Sequence, residues 1–294
     1  MDYIKHPDLK NYYELSLNEF VERWELAHNE VLDRYRYIHE INTTDKSKPF
    51  FLKRGIPSYK EFGREEVFLG IDLTASLIAS YKAYGEMLML SGYQDEAEKY
   101  YKKAQEEANF LNEFWWDSQR EDFRSLYYVD KTFDYFLVDG NQAYVHYLYY
   151  FDAVNDPEKV KSMVEKYVEN YDNLIIELKT YLPIIFYENG YADIANDLIV
   201  QMCSPSNKRR EYPENSFTVI EHITRGLMGL DSDAREGKIT TISRLKKNEW
   251  AELQNIPVLS NILTVKHKGD TETSIINHNG PIVKWEARIK GNHP

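Results

Sequence analysis

The feature that most limits what this chain can fold into is a recurring pair: an apolar helix, a short break marked by glycine or aspartate, then an amphipathic helix. FLGIDLTASLIASYKAYGEMLMLSG is apolar nearly all round and closes at Gly92, and YQDEAEKYYKKAQEEANFLNEFWWD follows with a charged outer face. The link is so short that the two helices must be antiparallel neighbours. GNQAYVHYLYYFDAV and DPEKVKSMVEKYVEN repeat the pair, the second helix opening on an Asp cap with proline in its first turn. IELKTYLPIIFYENG and YADIANDLIVQMC repeat it again around Gly190, and SFTVIEHITRGLMGL is the last apolar helix. With the amphipathic stretch over residues 12–40, about eight helices are expected, the less charged ones enclosed by the others. The helices starting near 70, 141, 173 and 216 form the inner layer in this reading, and those near 94, 157 and 191 the outer one.

Beyond Asp231 the period changes from helical to alternating. KITTIS, NILTVKHK, TETSIIN and PIVKWEARIKG are rich in β-branched residues between Gly and Asn breaks, which predicts a few antiparallel strands. Three regions are expected: an N-terminal helix and long loop over 1–64, a helical-hairpin region over 65–230, and a β-region over 231–294 packed on it.

Composition narrows the function. Among 294 residues, 43% are hydrophobic, enough for a core without staples, and the single cysteine Cys203 leaves neither a disulfide framework nor a zinc-ligand spacing. No metal and no cofactor is expected. A formal charge of −12 disfavours nucleic acid and anionic membrane as partners. The first residues carry no apolar core of signal-peptide length and no stretch approaches the roughly 20 apolar residues of a span, so a cytoplasmic location is expected. Twenty-four tyrosines, thirteen phenylalanines and five tryptophans exceed what a core needs; rings that stack and hydrogen-bond suit a wet pocket for sugars.

Chemistry is concentrated where RREYPENSFTVIEHITRGLMGL turns from polar to periodic. Pro213 biases Tyr212 towards extended backbone, and Asn215 or Ser216 can cap a helix carrying Phe217, Ile220, Ile223, Leu227 and Met228 on one face. Glu214 then sits at a helix N-terminus, where free N–H groups and the dipole favour its ionised form, as a general base requires. A plain capping-region acid would look the same. His222, beside Glu221, reads as a packed residue, since no second ligand stands at a metal spacing.

The segment from Gly70 to Asp117, with Asp72, Leu73, Ala75 and the closing Phe114, Trp115, Trp116 and Asp117, resembles the barrel helices of the six-hairpin (α/α)6 glycosidases. YLPIIFYENGYADIANDLIVQM, REYPENSFTVIEHITRGLMGLDSDA and the strands after them resemble the C-terminal part of a bacterial subgroup, in which the last barrel helix leads into a small β-region. The resemblance covers residues 65–290 and implies an α/α toroid, incomplete because a full ring of hairpins needs more helices than this chain supplies. It implies hydrolysis of a glycosidic bond by an inverting pair of carboxyl groups, one acid and one base.

On that resemblance Glu214 is the base, with Glu211 as its alternative, and Asp139 in the loop VDGNQ is the acid, with Asp72 behind it. Trp115 and Trp116 offer a stacking platform, although one of two adjacent tryptophans at a helix end must point inwards. Tyr187, Glu188 and Asn189, before Gly190, and Tyr212 would line the same mouth. The expected partners are a carbohydrate and, through the open edge of the ring, a second copy or another chain. A protein of the same fold that only binds sugar or assembles is the alternative reading. A tetratricopeptide scaffold is the third, but SGYQDEAEKYYKKAQEEA does not recur at the required period of about 34 residues.

Overall fold

Helix α1 (Ile71–Leu90) buries Ile71, Ala75, Leu77, Ile78, Tyr81, Tyr84 and Leu88, so its packing surface runs along its whole length. Helix α2 (Gln94–Phe110) buries only Ala97, Ala104 and Ala108, a stripe of small residues that lets two helices lie close. The turn between them follows from local chemistry. Gly92 takes φ +87°, the Gly92 N–H donates to the Met89 carbonyl and the Tyr93 N–H donates to the Leu88 carbonyl at 2.9 Å, a pair of hydrogen bonds that satisfies the last carbonyls of a helix. The same closure recurs after α3 (His146–Tyr150), where Asp152 adopts φ +50° and Ala153 donates to Leu148 at 2.8 Å. Lys82 holds Asp152 there by bonding both its carbonyl and its carboxylate. It recurs a third time at Gly190, φ +88°, between α6 (Leu182–Glu188) and α7 (Ala192–Cys203).

This computed structural model describes residues 68–128, 132–138, 141–142, 144–207 and 212–288. The helix and loop expected over 1–64 lie outside them, as do Asp139 and Glu211. The chain divides into two compact units between Met163 and Val164, inside helix α4 (Pro157–Asn170), whose start is capped by the Asp156 carboxylate accepting from the N–H groups of Glu158 and Lys159. Among the described residues no helix is long and apolar enough to cross a membrane.

In the first unit, the described residues between 116 and 142 form short antiparallel pairings instead of a plain loop. β1 (Phe68–Gly70) pairs with β4 (Leu126–Tyr128), which pairs with β5 (Phe133–Asp134); β2 (Trp116–Asp117) pairs with β3 (Asp122–Phe123), and β6 (Leu137–Val138) with β7 (Asn141–Gln142). Strands of two or three residues carry no readable alternation, which is why the sequence shows none of them.

In the second unit the stretch 176–188 forms two helices, α5 (Ile176–Lys179) and α6, instead of one. Pro183, in the first turn of α6, has no N–H to give a continuing helix, and the chain breaks at Thr180 and Tyr181. Helix α8 (Pro213–Glu221) passes into a π-helical turn over His222–Leu227. It begins at Pro213 with an extended Tyr212 before it, so neither Asn215 nor Ser216 is its cap. Its buried side is only in part the one expected. Met228 is buried and Ile223 and Leu227 are half-buried, but Asn215, Thr218, His222 and Gly226 also face inwards, while Phe217 and Ile220 are 70% and 64% exposed.

The β-region follows at once. β8 (Asp231–Asp233), β9 (Lys238–Ile242) and β13 (Lys284–Arg288) form one sheet, and β10 (Trp250–Val258), β11 (Asn261–Lys268) and β12 (Glu272–Asn279) an antiparallel one. β9 and β13 pair in parallel, an exception to the antiparallel expectation that the long connection between them permits. Met228, Leu230, Ile239, Leu263 and Val265 form the core here, so the end of the π-helical turn is built into it.

The β10–β11 turn is Leu259–Ser260, both with positive φ, 47° and 66°, where glycine and asparagine are the usual residues. Leu259 compensates by packing on the core, whereas Ser260 is exposed. Ser260→Gly should therefore raise stability by about 0.5–1 kcal/mol, read as a higher midpoint in thermal denaturation; an unchanged or lower midpoint would mean that the turn is not strained.

Candidate functional site

Glu214 is the second residue of α8, half-buried, and among the described residues its carboxylate makes no hydrogen bond or ion pair. Its neighbour Asn215 is buried and donates through Nδ2 to the Met202 carbonyl at 3.2 Å; Asn207 donates to the same carbonyl at 3.2 Å. Two amides thus close the end of α7 and fix the start of α8 against it. Beside them lies a shallow cleft of about 240 Å³ lined by Lys179, Gln201, Met202, Ser204, Ser206 and Asn207. Lys179 donates to the Asp172 carbonyl at 3.0 Å and Gln201 to the Asp172 carboxylate at 2.7 Å, while the Ser204 and Ser206 hydroxyls lie 2.8 Å apart. Burial holds the Lys179 ammonium below its ordinary value, opposed by Asp172. A cleft rich in hydroxyl and amide groups, with one ammonium, can bind a polyhydroxylated ligand through many neutral hydrogen bonds.

The orientation of α8 is set deeper in the same unit. His222 is fully buried, and its Nε2 lies 2.6 Å from the Thr180 carbonyl at the break between α5 and α6. A carbonyl only accepts, so Nε2 carries the proton and Nδ1 is the bare nitrogen, without a hydrogen-bond partner among the described residues. At the far end Arg244 donates to the Arg225 carbonyl at 3.1 Å and also to that of Gly226, placing a cation at the helix C-terminus. His267 completes the clamp, one ring nitrogen 3.0 Å from the Met228 carbonyl and the other 2.7 Å from the Thr273 hydroxyl.

Several residues expected to line a sugar mouth have other work. Tyr187 is only 2% exposed: its hydroxyl donates to Asn196 at 2.5 Å, its ring lies flat where any side chain at position 226 would stand, and burial pushes its phenol well up. It is a core residue, and Gly226 is the space it needs. Asn189 spends its amide on the Ile185 carbonyl at 2.8 Å, ending α6. Glu188 is exposed, and Tyr212 is half-buried at the start of α8. Glu214, Asn215 and Tyr212 therefore share one helix end, and Tyr187 and Asn189 support the fold.

In the first unit the two tryptophans separate as adjacent residues must. Trp115 is 0% exposed, edge-on to Phe133 at 5.3 Å, and cannot stack on a ligand. Trp116 is half-buried against Phe123 at 4.9 Å, and the Lys159 ammonium lies 5.3 Å from its ring centre, so one face is already covered. Asp72 is buried in the first turn of α1.

The sequence reading missed the cluster around Asp117. Tyr135 donates to its carboxylate at 2.7 Å, the N–H groups of Gln119 and Arg120 do so at 2.9 and 3.3 Å, and Arg124 lies 3.4 Å away. The Tyr135 bond, above all, holds the Asp117 carboxyl below its ordinary range, and burial with Asp117 beside it pushes Tyr135 up to about 12. Asp117 is thereby kept ionised and cannot serve as a protonated acid. The signal was available: an aspartate followed within seven residues by Arg120 and Arg124. Among the described residues no group of three or more His, Cys, Asp or Glu is placed to hold a metal ion.

No protein-family model and no curated protein matches this sequence. Solved structures do. A GH78 family rhamnosidase of Bacillus sp. GL1 superposes with a TM-score of 0.54 at 9% identity, over 87% of this chain and 31% of the other. A sialidase superposes with a TM-score of 0.54 at 13% identity, over 87% and 32%. The fold is glycosidase-like. At such identities the likeness is one of fold, and the chain spans about a third of the length of each of these proteins.

The buried histidines make stability depend on pH in a stated direction. Burial lowers His222 to about 4 and His146 to about 3 from an ordinary 6.5. The unfolded chain takes up these protons near pH 6.5 and the folded chain does not, so the contribution is complete above that value and is lost as pH falls towards 4. Denaturant midpoints should thus drop between about pH 7 and about pH 5, and less steeply in His222→Gln, which keeps a donor for Thr180 but cannot titrate. An identical slope in the two proteins would contradict the burial of a neutral His222.

Proposed function

We propose that this chain belongs to the six-hairpin type of glycosidase and hydrolyses a glycosidic bond with inversion, Glu214 being the base that activates water. The observation that carries the reading is a half-buried carboxylate with no partner among the described residues, held at the first turn of a clamped helix next to a cleft of hydroxyl and amide groups. A carboxylate that merely capped a helix or closed an ion pair would show its partner. The likeness of fold to a rhamnosidase and a sialidase agrees with glycoside hydrolysis in general and speaks for no particular pair of carboxyl groups. Glu211 stands next in line as base, and Asp139 is proposed as the acid that protonates the leaving oxygen. Asp117 is not a candidate for that role. The paired arrangement of buried and amphipathic helices supports a toroid of hairpins with the β-region beside it.

A second reading is favoured by Phe217 and Ile220, which stand exposed on the helix that begins with Glu214. An apolar helix face beside the site suits docking of another chain, and in that reading the protein binds sugar or assembles without turning it over.

The two readings separate on one substitution. In Glu214→Gln, size and most hydrogen bonding persist but the basic lone pair is gone, so turnover should fall by about 10²–10⁴-fold with saccharide binding kept. A capping role predicts a loss of only about 0.3–1 kcal/mol in stability and parental turnover. That second pattern would remove Glu214 from the reaction. Saccharide binding by the unmodified chain without hydrolysis of any glycoside tested would favour the binding reading.

A further inference from the structure

The antiparallel sheet β10–β11–β12 has two unlike faces. Leu253, Leu263, Val265 and Ile275 point into the core, and the opposite face presents Trp250 in register with Lys268 and then Glu272, and Glu252 in register with Lys266 and then Ser274. In this polar surface Trp250 is 68% exposed. Leaving an indole in water forgoes the stabilisation that burying it would give, and nothing in the fold of the sheet demands an indole at its edge. The Lys266 ammonium lies 5.3 Å from the ring centre and 2.9 Å from the Glu252 carboxylate, so one side of the indole is bordered by a fixed charge.

The loop before Trp250 is held in place. Glu249 accepts the Lys246 N–H at 2.7 Å and its own N–H donates to Lys246, Gly269 donates to the Glu249 carbonyl at 2.8 Å, and the Lys246 ammonium pairs with Asp193 at 2.8 Å. Between this loop and the sheet lies an open cleft of about 450 Å³ lined by Lys247, Asn248, Glu249, Trp250, Lys266 and Lys268. Lys266 and Lys268 are neutralised by Glu252 and Glu272. The side chains of Lys247 and Asn248 make no hydrogen bond or ion pair among the described residues.

We propose that this cleft is a second saccharide-binding site, taking a neutral sugar chain with one ring stacked on Trp250. The axial C–H groups of a pyranose match the face of an indole, while Lys247, Asn248 and the unused oxygen of Glu249 offer donors and an acceptor to its hydroxyls. Charge decides against a polyanion: with Lys266 and Lys268 paired, the remaining Lys247 is balanced by Glu249, and the chain as a whole carries −12. The site lies on the β-region and needs no carboxylate chemistry, so it stands whether or not Glu214 carries a reaction.

Affinity electrophoresis of the full chain through gels containing galactomannan, arabinoxylan or mixed-linkage β-glucan tests this, with heparin and a single-stranded oligonucleotide as polyanion controls. At least one neutral polymer should retard the protein. The apparent affinity should fall about tenfold or more in Trp250→Ala, less in Trp250→Phe, and measurably in Lys247→Ala. Added salt should leave the retardation nearly unchanged. Trp250 is exposed, so its variants should keep the parental circular dichroism. The proposal is overturned if none of the neutral polymers retards the chain, if folded Trp250→Ala is retarded as strongly as the parent, or if only heparin or the oligonucleotide binds and salt abolishes it.

Discussion

Helix α8 is oriented by two carbonyls that polar side chains reach from its buried side: Thr180, bonded by His222, and Met202, bonded by Asn215. Both acceptors sit at places where a helix stops, the break imposed by Pro183 and the end of α7. A buried polar group that loses its partner costs about 1–3 kcal/mol, and two such groups together are comparable with the about 1.5–3 kcal/mol that burying Phe217 or Ile220 would each return. With both carbonyls bonded, the helix turns its polar stripe to the core and leaves those apolar residues outside. Everything proposed for Glu214 depends on this choice, since it fixes where the first turn of α8 points.

That choice also explains what could and could not be read from the amino-acid order. The hairpin closures at Gly92 and Gly190, the Asp156 cap and the change from helical to alternating pattern after Asp231 are local signals, and each has its structural counterpart. The inward face of α8 is not local. Periodicity counts Phe217 and Ile220 as core because they are apolar, and has no means of knowing that Asn215 and His222 will find carbonyls from elsewhere in the chain. β10 shows no clean alternation in the sequence because a bulge between Leu253 and Ile256 breaks it. Of the two tryptophans, the sequence says that one must be core, and only packing says that it is Trp115.

The site was legible to a similar extent. Proline, glutamate and asparagine in a row at a helix start point to Glu214, whose carboxylate has no partner among the described residues. The supporting residues were less visible, since Tyr187 and Asn189 look from the sequence like lining and serve as packing and cap. Asp117 shows the opposite failure, marked in the sequence only as the end of a helical segment yet held by four donors. A carboxylate satisfied in this way is fixed in its ionised form, whereas a base must keep a lone pair for water.

The most direct measurement replaces the proposed base by an added nucleophile. In Glu214→Ala, an activated aryl glycoside that the unmodified protein hydrolyses should react slowly with water, and azide should restore aglycone release while forming a glycosyl azide of the opposite anomeric configuration. That outcome would place a water-activating carboxylate at residue 214. Parental hydrolysis by Glu214→Ala, with no azide adduct in the proton spectrum, would contradict it.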